Sequence, residues 1–175
     1  MIESSKVPKR AVIGLILNEK RDEVLLIKRR DVPIWVLPGG GVESWETPEE
    51  AVLREVEEET GLQIKIKRLV ALYSPINRLA CDTYLFECHE VAGQLTAGEE
   101  TLQTGFFSLE SLPEPFFFLH QEWIEDAKKN LPHIIKRPLT DVTYVKLFKY
   151  FCRHPLQVLR ILFSRLGYPM NSKIK

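Results

Sequence analysis

The order of apolar and polar positions predicts a chain of strands and helices. Near the start, Ala11–Leu17 and Glu23–Lys28 have the pattern of strands, and the polar residues 18–22 between them suit a turn. Five further strands are predicted at Trp35–Leu37, Gln63–Tyr73, Thr83–Cys88, Gln94–Leu95 and Thr104–Phe107. A helix is predicted at Glu122–Asn130. Neighbouring strands with helices placed between them favour a layered α/β sandwich.

A second helix is specified by the signals at its two ends. Thr47 is a good N-cap, Pro48 falls at the first helical position, and Glu50 completes a capping box. Gly61 provides a left-handed stop at the other end. The apolar stripe that would pack this helix on a sheet consists of Val52, Leu53 and Val56.

Three carboxylates, Glu55, Glu58 and Glu59, lie on one face of this helix beside the apolar stripe. Glu55 and Glu59 repel each other at i, i+4, and all three lie toward the negative end of the helix dipole. Arg54 is the only positive charge at helical spacing. This face is either a solvated acidic surface or a site that requires a cation. Mg²⁺ is a good candidate, because proteins hold it with a few carboxylates, waters and substrate phosphates.

Three consecutive glycines, Gly39–Gly41, precede the helix and follow a short apolar strand. By itself such a segment is either a plain turn or backbone that approaches a ligand closely. A glycine loop that leads to the positive end of a helix is suited to binding phosphate oxygens. The loop and the acidic helix together therefore indicate a site for a phosphorylated ligand and a cation.

These residues resemble the Nudix box of the Nudix hydrolase superfamily. The resemblance covers residues 40–62, and every fixed position of the pattern is filled: Gly40, Glu46, Arg54, Glu55, Val56, Glu58, Glu59, Gly61 and Leu62. It implies a Nudix α/β/α sandwich with a mixed β-sheet. It also implies hydrolysis of a nucleoside diphosphate linked to another moiety, by attack of water on phosphorus with Mg²⁺, or Mn²⁺, bound.

The resemblance implies roles for the charged residues of the box. Glu55, Glu58 and Glu59 would be metal ligands, and one of them, or a glutamate outside the box, would be the general base. Arg54 would orient a catalytic carboxylate, in agreement with the planar fork that arginine offers to carboxylates. The candidate catalytic residues are Glu58, Arg54, Glu55 and Glu100.

The remaining candidates concern the shape of the site and the substrate. Glu46 would brace the junction of loop and helix, and Gly61 would maintain the backbone shape. Gly39 and Gly40 are candidates for substrate binding. Trp45, which follows the glycines in the loop, is a candidate platform for a nucleotide base, since stacking of a base on an aromatic ring contributes about 1–3 kcal/mol. Its alternative is an ordinary packing role.

Glu100 lies outside the box, and its assignment as a candidate depends on a separate resemblance to the family. Family members often supply a further glutamate from a loop after the box, and 96–101 is the corresponding loop here. The stretch 106–113 resembles the strand end that follows in the family, and alignment on it favours Glu100 over Glu99. The alternative is that both are ordinary loop carboxylates.

Length and composition agree with one enzyme domain that carries an appendage. The chain has 175 residues, 45% of them hydrophobic, and a formal net charge of zero. Its three cysteines show no CxxC pairing, which favours a reducing, cytoplasmic location. We expect a Nudix domain at 1–135 and a basic amphipathic helical extension at 136–175.

The predicted extension has two interpretations. From Arg137 onward, eight lysines and arginines stand against one aspartate. The favoured interpretation is a helical pair packed on the domain or on a homodimer partner. The alternative is a basic surface that contacts RNA or an anionic membrane.

Several functions remain compatible with the box. The favoured one is a pyrophosphohydrolase acting on a nucleotide, a nucleotide sugar or a dinucleotide. The alternatives are an RNA 5′-end pyrophosphohydrolase, a prenyl-diphosphate isomerase and a non-catalytic Nudix-fold binding module. Pro75 is loosely similar to a proline of the ADP-ribose-cleaving branch, but its spacing from Leu62 differs, so the sequence does not favour that substrate.

Overall fold

The computed structural model describes residues 10–140, 142 and 143. Two sheets and two helices make up this part of the chain. The elements in chain order are β1 (Arg10–Ile16), β2 (Glu23–Arg29), β3 (Trp35–Val36), β4 (Gly39–Gly41), α1 (Pro48–Thr60), β5 (Leu62–Pro75), β6 (Asp82–Gly93), β7 (Thr101–Ser108), α2 (Phe118–Lys128) and β8 (Ile135–Leu139).

The larger sheet is mixed, as expected. Its strand order is β4-β1-β6-β5-β8, and the pairs β1–β6 and β5–β8 are parallel while the others are antiparallel. The smaller sheet, β3-β2-β7, is antiparallel. The helices pack against two separate hydrophobic clusters, α1 on one and α2 on the other. The predicted α/β/α sandwich is confirmed.

The ends of α1 follow the local signals in the sequence. The Thr47 side chain accepts a hydrogen bond from the Glu50 backbone N–H, and the Glu50 carboxylate accepts one from the Thr47 backbone N–H. Gly61 ends the helix in the left-handed region, with φ of 72°, and its N–H donates to the Glu57 carbonyl. Val52 and Val56 are fully buried as expected, whereas Leu53, the third residue of the predicted apolar stripe, is 38% exposed. Because these interactions are local, the sequence predicted them well.

Three predicted elements differ from the structure. The strand predicted at Gln94–Leu95 is absent, since β6 ends at Gly93, where it pairs with Leu62 of β5. Helix α2 begins at Phe118 rather than Glu122, because Leu119 and His120 in its first turn are buried in the core. The glycines 39–41, expected as a loop, form β4 on the edge of the larger sheet.

The predicted domain boundary after residue 135 falls inside β8. This strand pairs with Ala71–Pro75 of β5, so residues 136–139 belong to the sheet rather than to a helical extension. Their charged residues hid the strand from the sequence pattern. The helices predicted beyond it lie outside the described residues, apart from 140, 142 and 143. No helix in the described part of the chain is long and apolar enough to cross a membrane.

Candidate active site

A cleft of about 580 Å³ collects most of the predicted site residues. It lies where α1 faces β4 and the loop that precedes β7. Its lining consists of Arg29, Gly39, Gly40, Gly41, Arg54, Glu55, Glu58, Glu59, Glu99 and Glu100. The structure therefore brings the three box carboxylates together with Glu100, from a loop about 40 residues later in the chain.

Arg54 organises one side of this cleft. Its Nε and Nη2 donate to the two carboxylate oxygens of Glu46 at 3.1 and 2.6 Å. Its Nη1 donates to Glu55 at 3.0 Å and to Glu58 at 3.1 Å. The Glu46 side chain is 1% exposed, and the hydrogen bonds from Arg54 hold its pKa below the ordinary value. One planar guanidinium thus fixes a buried brace and orients two cleft carboxylates.

Glu59 is the most deeply buried carboxylate of the cleft. Its Oε2 accepts a hydrogen bond from the Gly39 backbone N–H at 2.8 Å. Burial raises the pKa of Glu59 to about 8, although the Gly39 hydrogen bond acts in the opposite direction. Burial also raises the pKa of Glu55, against the effect of Arg54. The ionised forms of these two carboxylates are therefore costly in the absence of a nearby cation.

The chemistry of this carboxylate set fits a divalent metal ion. In the described part of the chain, no three His, Cys, Asp or Glu side chains are arranged around a common metal position. The hydrogen bonds explain this, because Glu55 and Glu58 turn toward Arg54 while Glu59 turns toward Gly39. Oxygen-only ligands suit Mg²⁺ and Mn²⁺, and a cation would relieve the burial of Glu59 and Glu55. The residues present are those that such an ion needs.

The glycine segment leaves space for the carboxylate of Glu55 and donates a hydrogen bond to that of Glu59. A Cβ on Gly40 would lie 2.5 Å from the Glu55 carboxyl group, so a side chain at this position would displace Glu55. The Gly39 N–H is used by Glu59, as described above. The segment leads through residues 42–47 to the start of α1, and β4 itself borders the cleft beside Glu55 and Glu59 in the second half of that helix. Substrate binding by Gly39 and Gly40 stays a prediction.

Trp45 lies apart from the other candidates. This residue is 74% exposed and does not line the cleft. Glu46 does not line the cleft either, but its carboxylate binds Arg54, which does. Gly61 lies at the end of α1. A role for Trp45 in base stacking stays a prediction that would require the substrate to extend beyond the cleft.

The sequence interpretation missed Arg29, which adds a positive charge to the cleft. Its guanidinium is held by Asp31 through a fork, with Nε–Oδ1 at 2.9 Å and Nη2–Oδ2 at 2.7 Å. The hydrogen bonds that Arg29 donates to Asp31 raise the pKa of Arg29. The only signal in the sequence was Arg29-Arg30-Asp31 directly after a strand. Arginine and aspartate two residues apart at a strand end are too common to single out a site.

A larger groove of about 930 Å³ lies between α2 and β8. Its charged side chains are largely engaged with one another. Asp126, for example, accepts hydrogen bonds from Tyr73, Lys129 and Arg137. No residue of the box lines this groove, so the smaller acidic cleft is the candidate active site.

Comparisons with known proteins agree with this geometry. The NUDIX domain model matches residues 7–127. An ADP-ribose pyrophosphatase from Methanocaldococcus jannaschii is 42% identical over 125 residues, covering 68% of this chain and 72% of that protein. An RNA pyrophosphohydrolase from Roseobacter denitrificans is 41% identical over 71 residues, covering 39% of this chain and 44% of that protein.

A solved structure shares the fold. The crystal structure of an ADP-ribose pyrophosphatase from Streptococcus suis superposes with a TM-score of 0.62 at 28% identity. The superposition covers 75% of this chain and 99% of that one. The chain therefore belongs to the Nudix hydrolase superfamily, and it is a pyrophosphohydrolase of the Nudix type.

Proposed function

We propose that this protein catalyses the Mg²⁺-dependent hydrolysis of the pyrophosphate bond in a nucleoside diphosphate linked to another moiety, with ADP-ribose as its preferred substrate. One observation carries the proposal. Glu55, Glu58, Glu59 and Glu100 face a single cleft whose positive charges are Arg29 and Arg54. Such a cleft can hold a metal ion and a pyrophosphate side by side.

Glu55, Glu58 and Glu59 would hold the metal, and Glu100 would serve as an auxiliary ligand or base. Nudix hydrolases in general use divalent metal ions. When bound, Mg²⁺ or Mn²⁺ supplies activation of a water molecule and neutralisation of charge on the pyrophosphate. The cost of ionising the buried Glu59 and Glu55 supports this assignment, because a bound cation offsets it.

The side chains of the cleft orient the carboxylates, bind a phosphate group and accept a proton from water. Arg54 keeps Glu55 and Glu58 in fixed orientations, and Arg29, held by Asp31, offers positive charge to a phosphate group. Glu58, whose side chain is 60% exposed, and Glu100 lie where they can accept a proton from water. The attacking water forms a new P–O bond, and the bond from that phosphorus to the bridging oxygen breaks. With ADP-ribose the products are AMP and ribose 5-phosphate.

The preference for ADP-ribose is supported by the relatives. The Methanocaldococcus protein and the Streptococcus structure both carry this activity in their names. The first of them matches across more than two thirds of each chain. The position of Pro75 gave no reason to expect this substrate, so the proposal departs from the sequence interpretation on this point.

One alternative has an observation in its favour. The Roseobacter relative is named an RNA pyrophosphohydrolase, and the basic residues after Arg137 would suit RNA. That match spans less than half of either chain. The complete box argues against a binding module or an isomerase. The homodimer, the RNA or membrane contact and the cytoplasmic location stay predictions.

The test is turnover with Mg²⁺ of ADP-ribose, nucleoside triphosphates, dinucleoside polyphosphates and 5′-triphosphorylated RNA. The wild type is compared with Glu58→Gln and with Glu57→Gln, a matched control. Glu57 lies on the same helix, is exposed and does not line the cleft. We expect ADP-ribose to give the highest kcat/KM and Glu58→Gln to lower it at least ~100-fold, or about 2.7 kcal/mol.

Three results would decide against parts of the proposal. Equal effects of Glu58→Gln and Glu57→Gln would reject the assigned site. Faster turnover of triphosphorylated RNA than of ADP-ribose would favour the alternative function. Full activity in the presence of EDTA after dialysis would reject the metal requirement.

A further inference from the structure

Arg30, directly after β2, forms three hydrogen bonds with the chain around Glu99 and Glu100. The Arg30 backbone N–H donates to the Glu100 carbonyl at 2.9 Å. Its side-chain Nε donates to the Glu99 carbonyl at 2.7 Å, and Nη2 donates to the Thr101 carbonyl at 2.9 Å. Arg30 thus binds three successive carbonyl groups around Glu100.

These bonds replace strand pairing that fails at this point. Strands β2 and β7 pair in regular register up to Lys28 and Gln103, and the next pair is Arg29 with Thr101. Leu102 is therefore left over as a bulge. Bulges redirect side chains and interrupt the backbone ladder, and they are common beside active sites. The Arg30 guanidinium binds carbonyl groups just beyond this interruption.

Other contacts hold the earlier part of the loop and its last turn, in which the Thr101 N–H donates to the Gly98 carbonyl at 3.2 Å. The Thr96 N–H donates to the Thr60 carbonyl at 2.8 Å, and the Gly98 N–H donates to the Glu59 carbonyl at 3.2 Å. Among the described residues, no hydrogen bond or ion pair holds the Glu100 carboxylate itself. Its place in the cleft therefore depends on its backbone, which is held by the Gly98–Thr101 turn bond and by the three hydrogen bonds from Arg30.

We propose that Arg30 is a positioning residue that acts on the reaction through Glu100. This inference rests on the proposed function, in which Glu100 is an auxiliary metal ligand or base. Two of the three bonds need the fork of donors that an arginine presents, and a lysine ammonium cannot reproduce it. A substitution at Arg30 should therefore allow Glu100 to leave the cleft while the box carboxylates on α1 keep their places.

The test is a double-mutant cycle of Arg30→Gln and Glu100→Gln. Mn²⁺ affinity of the full chain is measured by titration calorimetry without substrate, and kcat/KM is measured for the best substrate. Arg78→Gln, at an exposed loop arginine, controls for the loss of one positive charge. Arg30→Lys tests whether charge alone is sufficient, and thermal melting identifies any variant that fails to fold.

We expect Arg30→Gln to lower kcat/KM about tenfold and to weaken Mn²⁺ binding, with Arg30→Lys close to it. In the Glu100→Gln background, the same substitution should have no further effect on either quantity. Additive effects, or no effect of Glu100→Gln by itself, would overturn the proposal. A wild type that hydrolyses none of the substrates would count against the proposed function instead, and the Mn²⁺ titrations would still decide the role of Arg30.

Discussion

The backbone N–H of Leu37 donates a hydrogen bond to Nδ1 of His120, with 2.8 Å between the two nitrogen atoms. His120 is buried in the first turns of α2 and stacks on Trp123 with ring centroids 4.7 Å apart. Leu37 lies two residues before Gly39, whose N–H binds Glu59. This bond therefore connects α2 to the segment that borders the acidic cleft.

The burial of His120 predicts a particular dependence of stability on pH. Burial lowers the pKa of His120 to about 3, below the ordinary value of 6.5. Because the folded-state pKa is the lower one, its contribution to stability is complete above about pH 6.5 and is lost as the pH falls toward about 3. His120→Gln, which retains an acceptor for Leu37, removes this dependence.

Urea unfolding at pH 7 and pH 5 provides the measurement. Between these values the wild type should lose about 2 kcal/mol more unfolding free energy than His120→Gln. The comparison with the variant cancels the titration of the carboxylates, which is common to both proteins. Identical changes in the two proteins would show that His120 is accessible to protons in the folded state.

We expect Glu59 to lower the stability of the metal-free protein, although the proposed function needs it as a metal ligand. Burial raises its pKa to about 8 from 4.5, so its contribution to stability is lost as the pH rises from about 4.5 through about 8. In metal-free protein at pH 8, Glu59→Gln should therefore raise the unfolding free energy by roughly 1–3 kcal/mol. The amide can still accept the Gly39 hydrogen bond.

Thermal melting in EDTA and then with added Mn²⁺ tests this prediction. We expect Mn²⁺ to stabilise the wild type and the Glu57→Gln control, and to have little effect on Glu59→Gln. Destabilisation of the metal-free protein by Glu59→Gln at pH 8 would contradict the assigned burial cost.

We expect Arg54 to contribute to stability through Glu46 and to catalysis through Glu55 and Glu58. Arg54→Lys removes the fork and leaves the buried Glu46 poorly paired, which should cost about 2–4 kcal/mol of unfolding free energy. It also releases Glu55 and Glu58, so kcat/KM should fall about 100-fold. Glu46→Gln leaves the bonds from Arg54 to Glu55 and Glu58 in place, and should reduce stability more than activity.

The two variants are compared by denaturant unfolding and by kcat/KM under saturating Mg²⁺. Equal losses of activity in Arg54→Lys and Glu46→Gln would indicate that Arg54 contributes only to folding. Arg78→Lys provides the control for an arginine-to-lysine change at an exposed position.

We expect Glu87, which lies outside the cleft, to contribute to stability and not to catalysis. This side chain is 2% exposed and accepts hydrogen bonds from Arg21, Lys67 and Arg68. Although burial acts to raise its pKa, these bonds lower it to about 2. The stability that Glu87 contributes is therefore present above about pH 4.5 and is lost as the pH falls toward 2.

Glu87→Gln should lower the unfolding free energy at pH 7 by about 2–3 kcal/mol, since the partly exposed partners screen the interaction. The loss should become smaller below pH 4.5. Chemical denaturation across this range is the measurement, and kcat/KM at low temperature should remain near the wild-type value because Glu87 does not line the cleft. A variant with normal stability but reduced turnover would contradict this separation.

The ends of α1 and the face that carries its glutamates are determined by the local sequence. Thr47, Glu50 and Gly61 determine where the helix begins and ends through contacts within a few residues. The spacing of Glu55, Glu58 and Glu59 then places them on one helix face, whatever the rest of the chain does. The superfamily, the fold class and the acidic part of the cleft were therefore available from the sequence.

The tertiary structure decided which distant residues join this helix and how each is held. Arg29, Arg30, Glu100 and His120 reach the site region through strand pairing, a bulge and helix packing between segments far apart in the chain. The position of β8 beside β5 likewise depends on a partner about 60 residues away. Helix caps and helix faces are encoded by neighbouring residues, whereas burial and long-range hydrogen bonds exist only once the sheets have assembled.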